Sequence, residues 1–280
     1  MINVLITGAG SYVGGKIAEY LPGADYAVRE LDVRNGVDAS AFAGMDAVIH
    51  VAGIAHQKET PQNAKLYRKV NCDLAVETAK IAKQSGVKQF IFFSSMSVYG
   101  MTTGHITAET EPAPNTHYGQ SKWDAEKALE KLKDDQFHIA VLRPPMIYGP
   151  GCRGNYPRLA SLAQKLPFFP LVKNERSMLY IGTLCAFMDN LLHSGKGGLF
   201  FPQNREYVST TGLVTSIARC HRKKLFLVRG FDWLIRLLEN RVGVVGKVFG
   251  SLTYDQAMSR EFAQAGQMDF PETIRRTEDE

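Results

Sequence analysis

The chain has 280 residues, 45% hydrophobic and 22% charged, with a formal net charge of +5. That size suffices for a large buried core, while no apolar run approaches the roughly 20 residues of a membrane-spanning helix, and no charged leader precedes the first apolar run. The four cysteines (Cys72, Cys152, Cys185, Cys220) show no CxxC spacing and the seven histidines no ligand spacing, which argues against a disulfide framework and a metal site and favours a reducing, cytoplasmic setting.

The first apolar run, Ile2 to Ile6, breaks into Thr7-Gly8-Ala9-Gly10-Ser11-Tyr12-Val13-Gly14 before a helical stretch from Lys16 to Leu21. A buried strand, a glycine turn and a helix start form a seat for a dinucleotide diphosphate, because backbone N–H groups and the helix dipole face the phosphates. A compact stretch then runs through Asp32, and Ala47 to Val51 reads as a strand. The next helix carries Leu74, Thr78, Ile81 and Ala82 on one side and stops at Gly86. Phe90 to Phe93 reads as a buried parallel strand.

Tyr118 opens a further helix, with Ala125, Leu129 and Leu132 on one face, and His138 to Leu142 is the following strand. This alternation predicts an α/β fold with a doubly wound parallel sheet. Residues 1–150 are expected to form the dinucleotide-binding domain and 151–280 mainly a smaller substrate lobe, with a strand near 199–201 returning to the sheet. Prolines 157, 167, 170 and 202 punctuate the short elements of the second part.

Ser95 follows the apolar strand, and Tyr118 and Lys122 stand four apart on a helix. That spacing puts phenol and ammonium on one face, and a nearby cation lowers a phenol's pKa. Such a tyrosine exchanges protons with an alcohol near neutral pH, the chemistry that accompanies hydride transfer at a carbon bearing oxygen. Each residue has a plainer alternative: Ser95 as a strand-end cap, and Tyr118 and Lys122 as a chance surface pair.

With the glycine loop, Asp32-Val33, His50-Val51-Ala52-Gly53, Asn71, Ser94 to Gly100, Tyr118/Lys122 and Leu142-Arg143-Pro144-Pro145-Met146-Ile147-Tyr148-Gly149-Pro150 in this order, the chain resembles the extended short-chain dehydrogenase/reductase family, in particular its nucleotide-sugar epimerase branch. The resemblance implies a Rossmann fold, bound NAD or NADP and a nucleotide-sugar substrate, UDP-linked by default. It makes Tyr118 the acid/base, Ser95 the hydroxyl that polarises the substrate and Lys122 the electrostatic partner and ribose ligand. Gly8, Gly10, Ser11, Tyr12, Val13, Gly14, Asp32, Val33, Val51, Ala52, Gly53, Asn71 and Pro144 become cofactor contacts, with Asp32 on the adenine amine. Ser95, Met96, Asn155 and Arg176 become substrate contacts. A homodimer through two helices follows by the same analogy.

Departures from the family pattern shape the expectation. Ser11 stands in the middle glycine slot, with Gly10 one place earlier; Arg29 and Glu30 fall near the expected ribose-binding acid, leaving NAD and NADP both open; Met146 stands where many relatives carry Asn. Ser95-Met96-Ser97 replaces the Thr-Asp-Glu of dehydratases, which argues against dehydration. The expected reaction is 4-epimerisation through a 4-keto sugar, with a 4-keto reductase as the alternative. A third reading is a silent cofactor-binding module, suggested by the cations Arg219, Arg222, Lys223, Lys224, Arg229, Arg236, Arg241 and Lys247, which face only Asp232 and Glu239 between residues 217 and 250. That excess suits a membrane surface or nucleic acid; nucleic acid is not expected, because Phe231, Trp233, Leu234, Leu237 and Leu238 fit an amphipathic packed helix.

Overall fold

The computed structural model describes residues 1–21, 23–55, 59–230, 246, 248–261 and 266–279. Its strands are β1 (Ile2–Thr7), β2 (Tyr26–Leu31), β3 (Ala47–His50), β4 (Gln89–Phe93), β5 (Gly104–Ile106), β6 (His138–Leu142), β7 (Met146–Tyr148), β8 (Phe168–Pro170), β9 (Met178–Tyr180), β10 (Gly198–Phe200), β11 (Phe226–Val228) and β12 (Leu252–Tyr254). The helices are α1 (Tyr12–Tyr20), α2 (Ala64–Arg68), α3 (Leu74–Gln84), α4 (His117–Glu130), α5 (Asn155–Lys165), α6 (Ile181–Ser194), α7 (Thr210–Cys220) and α8 (Phe270–Glu278). The helix expected from Phe231, Trp233, Leu234, Leu237 and Leu238 lies outside the described residues.

The chain divides into two compact units. The first comprises residues 1–100, 111–144 and 185–202; the second comprises 101–110, 145–184 and 203–280. The sequence places the main boundary near 150 with a strand near 199–201 returning to the sheet; β10 is hydrogen-bonded into the first unit's sheet, and the division is interleaved further because β5 pairs with β12 in the second.

In the first unit, six parallel strands run in the order β10-β6-β4-β3-β1-β2. The order reverses between β1 and β3, and the carboxyl ends of strands at such a switch point are where doubly wound sheets bind ligands. Both faces of the sheet are covered, so β4 is buried at every position and reads as an unbroken apolar run. On one side Phe42, Val48, Phe90, Phe92, Phe137 and Val141 pack with Ala75, Ala79 and Ala82 of α3 and Ala125 and Leu129 of α4. The small residues of α3 let its backbone approach the sheet closely. A single π-helical turn, Lys69–Asp73, interrupts the helical run from Ala64 to Gln84.

The second unit contains the parallel pairs β5–β12, β7–β9 and β8–β11. Its polar core is organised by Tyr148, which bonds the Thr273 hydroxyl at 2.6 Å and accepts from Asn204 Nδ2 at 3.0 Å. Tyr148 also stacks on Tyr156, whose hydroxyl donates to Glu278 of α8.

Candidate active site

The β1–α1 turn is built for close backbone approach. Gly8 has φ +100°, and a Cβ there would lie 2.8 Å from the Ala52 nitrogen; Gly10 has φ +74° and open space on its outer side. Both take the left-handed region, which glycine adopts without steric cost. Ser11 needs no such freedom: at φ −74° it is the N-cap of α1 and its Oγ accepts from Gly14 N at 3.2 Å. The helix therefore starts at Tyr12, earlier than the helical pattern alone suggests, and the serine in the glycine slot is a cap. Gly14 is needed for packing, since a Cβ would sit 2.9 Å from Val51 Cγ2.

Asp32 follows β2 directly, and Leu31 O accepts from Gly8 N and Ala9 N at 2.9 and 3.2 Å. The carboxylate thus stands at the carboxyl end of β2 beside the glycine turn, the position doubly wound folds use for the adenosine ribose. Arg34 chelates it and holds its pKa at about 2. Arg29 and Glu30 lie within β2, so the residue that stands at its carboxyl end is Asp32. Val33 is buried. At the end of β3, Ala52 is buried, Val51 is partly buried, and a Cβ on exposed Gly53 would meet Asn71 Oδ1 at 2.9 Å. Glycine turn, helix N-terminus, ionised carboxylate and small residues together fit a dinucleotide.

Ser95 lies two residues beyond β4 and caps the short 3₁₀ turn Met96–Tyr99, accepting from Ser97 N at 3.1 Å. Met96 N donates to Pro144 O at 3.0 Å, which seats this turn on the residue after β6. The hydroxyl of Ser95 is near enough to Tyr118 to favour the ionised phenol. Tyr118 lies in the first turn of α4, whose exposed N–H groups are taken by Thr116 Oγ1 (from Gly119 N, 3.0 Å) and by Glu59, which accepts from His117 N and Tyr118 N at 2.8 and 3.0 Å. A carboxylate there also complements the helix dipole. Gly119 allows α4 to lie directly on the serine turn: a Cβ would be 2.5 Å from Ser97 O.

Lys122 is 4% exposed, donates to Phe93 O at 2.7 Å and lies 4.7 Å from the Phe92 ring centroid. Burial lowers its pKa to about 8, opposed by Glu126 one turn further along. Burial also raises the Tyr118 pKa, with the Ser95 hydroxyl pulling the other way and Tyr67 adding to the rise. The phenol is therefore not lowered by Lys122 as the sequence spacing suggests, because the ammonium is held by the Phe93 carbonyl and the Phe92 ring.

Three buried groups support the site; Asn71 is singled out by the sequence, the other two are not. Asn71, fully buried in the π turn, accepts from Ile54 N (2.8 Å) and donates to Ile54 O and Ser121 Oγ (both 3.1 Å). Glu126 and Arg143, 6% and 4% exposed, form a bidentate pair; Arg143 also donates to Tyr99 Oη at 2.7 Å, and Ser94 donates to Glu126. His50, fully buried beside the Phe90 and Phe92 rings, bonds Thr7 Oγ1 at 2.8 Å, and burial drives its pKa down to about 3.

The predicted substrate residues Asn155 and Arg176 belong to the second unit. Asn155 is the exposed first residue of α5. Arg176 exchanges backbone hydrogen bonds with Val208, donates to Gly250 O at 2.7 Å and has its pKa lowered by burial.

The family model described as NAD dependent epimerase/dehydratase family matches residues 4–197. A UDP-glucose 4-epimerase of Vibrio cholerae is 30% identical over 92% of this chain and 89% of its own. An N-acetyl-alpha-D-glucosaminyl-diphospho-ditrans,octacis-undecaprenol 4-epimerase of Escherichia coli O157:H7 is 30% identical over 70% of this chain and 65% of its own. Among solved structures, UDP-glucuronic acid 4-epimerase from Bacillus cereus in complex with NAD superposes with a TM-score of 0.77 at 17% identity, covering 99% of this chain and 96% of the other. A dTDP-4-dehydrorhamnose reductase from Clostridium acetobutylicum gives 0.78 at 18% identity and 99% coverage of both. At such identities the structures speak for the fold, and the sequence matches carry the assignment: the chain belongs to the NAD dependent epimerase/dehydratase family, as an NAD(P)-dependent nucleotide-sugar epimerase or reductase of the extended short-chain dehydrogenase/reductase type.

Proposed function

We propose that the protein is a nucleotide-sugar 4-epimerase acting on a UDP-linked hexose or N-acetylhexosamine. The observation that carries this reading is the placement of Ser95 just after β4 and of Tyr118 in the first turn of α4, near enough for the serine hydroxyl to act on the phenol, with Lys122 anchored one turn along the same helix. Two relatives with 4-epimerase activity in their names support it.

In the reaction, Tyr118 would act as the phenolate, a form that the positive charge of an oxidised nicotinamide and of Lys122 would favour; its Oη then takes the proton of the sugar's C4 hydroxyl while Ser95 Oγ hydrogen-bonds the same oxygen. A nicotinamide dinucleotide held by the β1–α1 turn and Asp32 would supply the acceptor, and later the donor, of the C4 hydride. Tyr118 then returns the proton to the oxygen on whichever face the sugar presents, so a 4-keto sugar lies between substrate and product. The buried Lys122 ammonium stabilises negative charge on this side of the site and serves as a donor to the nicotinamide ribose. Asp32 accepts from the adenosine ribose hydroxyls, which favours NAD over its 2′-phosphate analogue. Asn155 and Arg176 are assigned to the substrate's diphosphate.

The protein purified without added cofactor is denatured and the released dinucleotide is quantified by mass spectrometry. Near-stoichiometric NAD supports a cofactor that is regenerated in every cycle; an empty protein that binds NADPH reversibly supports the 4-keto reductase instead. Tyr118→Phe separates enzyme from binding module: turnover is lost while dinucleotide binding is kept.

A cytoplasmic homodimer completes the proposal. The groove between α3 and α4 is lined by charges of both signs, Arg68, Asp73, Glu77, Lys80, Asp124 and Lys127. A two-fold partner there would be held by ion pairs, so sedimentation velocity at low and high salt should show a dimer that salt dissociates.

A further inference from the structure

Among the described residues, six of the eleven exposed large hydrophobic side chains fall in one part of the second unit: Leu162, Leu166, Phe168, Phe226, Leu227 and Val228. Leu162 and Leu166 belong to the end of α5 and the residue after it, Phe168 opens β8, and β11 pairs in parallel with β8 so that Phe226 lies opposite Phe168. The two rings are 5.7 Å apart and are 58% and 59% exposed. The strand pair is fixed to the unit by Phe169, which is buried and packs on Phe249 at 5.9 Å, and by Lys223, which donates to Gln164 O of α5. A rigid platform thus displays aromatic and aliphatic groups, where a monomeric soluble surface rarely gathers them.

The two segments that form this platform are mainly positive, while the α8 carboxylates Glu278 and Asp279 stand beside the neighbouring Cys220 and His221. The segments 162–175 and 219–230 carry Lys165, Lys173, Arg219, Arg222, Lys223, Lys224 and Arg229 against a single carboxylate, Glu175. Among the described residues none of these cations forms an ion pair. We propose that the face formed by the end of α5, β8 and β11 docks on an anionic phospholipid bilayer. Cations beside exposed aromatics are how peripheral proteins sit at the headgroup level, the cations meeting the lipid phosphates and the apolar groups entering the acyl boundary. A second copy of the same face would bring like charges together, and a nucleic acid backbone would leave Leu227 and Val228 without an apolar environment. The inference concerns the second unit alone and stands apart from the reaction assigned above.

The test uses the full chain and sedimentation with phosphatidylcholine vesicles, with and without phosphatidylglycerol. The expected result is binding to the phosphatidylglycerol vesicles, weakened by salt, and weakened roughly tenfold or more in each of two variants, Phe168→Ser/Phe226→Ser and Lys224→Glu/Arg229→Glu. Both variants alter exposed residues, so circular dichroism and melting temperature should match the parent. Absence of vesicle binding overturns the proposal, as does equal binding with and without phosphatidylglycerol. So does binding that both folded variants retain, or loss of a solution dimer in the Phe168→Ser/Phe226→Ser variant.

Discussion

Replacing Lys122 with Met should stabilise the folded chain at neutral pH while removing catalysis. Burial lowers the Lys122 pKa from 10.5 to about 8, so keeping it charged at pH 7 costs about 3 kcal/mol, at roughly 1.4 kcal/mol per pKa unit. Met fills similar space without that charge but gives up the bond to Phe93 O, worth about 1 kcal/mol. The net expectation is a gain of about 2 kcal/mol at pH 7. Its sign then changes with pH. The folded pKa lies below the unfolded one, so between about 8 and 10.5 the unfolded state binds more protons and the parent protein gains stability as pH rises. The variant's advantage should therefore shrink across that window and end as a loss of about 1 kcal/mol. Urea denaturation of both proteins at several pH values, without added cofactor, measures this difference, and turnover should fall by about a hundredfold or more. A variant less stable than the parent at pH 7, or a gap independent of pH, would refute the argument.

Arg143→Met strands the buried Glu126 carboxylate and should cost about 3–5 kcal/mol in urea denaturation, most of which the double variant Glu126→Leu/Arg143→Met should restore. Gly119→Ala sets two effects against each other: helix propensity alone favours Ala by about 1 kcal/mol, but the new Cβ would lie 2.5 Å from Ser97 O. We expect a lower melting temperature and a loss of turnover with cofactor binding kept, and a rise in melting temperature would contradict the close packing of α4. His50 has a folded pKa of about 3 against an ordinary 6.5, so the unfolded state takes up the proton first and stability should fall as pH drops through 6.5 toward 3; His50→Phe should flatten that part of the stability profile.

The regular strands, and the strand end and helix that carry Ser95, Tyr118 and Lys122, were legible because they rest on local signals. β4 and β6 announce themselves as apolar runs, β10 as an isolated one, and Ser95, Tyr118 and Lys122 through their spacing. What the sequence concealed depends on partners far along the chain. Glu59 reads as one more loop carboxylate until His117 and Tyr118 are seen to donate to it. The position of Asp32 at the carboxyl end of β2 was hidden because the end of that strand is decided by its pairing with β1 rather than by its own residues. The lowering of Tyr118's pKa by Lys122 failed as an expectation because helical spacing sets which face a side chain leaves from, and not which carbonyl captures it. Gly119 carried a usable signal: a glycine inside a helix has a cost, and its reason here is the neighbouring serine turn.

The π turn at Lys69–Asp73 can be read as a length rather than a shape. It holds one more residue than an α-helical turn would, as though a residue had been inserted into an unbroken helix from Ala64 to Gln84. The extra residue is absorbed where Asn71 reaches both the Ile54 backbone and Ser121 of α4. Deleting one residue there would let the helix become regular with the residues on either side still facing the same way, because the extra residue is taken up within the turn itself. What would be lost is local: the wider turn that carries Asn71 to the Ile54 backbone and to Ser121. A single-residue deletion in this segment would therefore leave the alanines of α3 on the sheet and remove the contacts of Asn71, so the extra residue serves those contacts rather than the core.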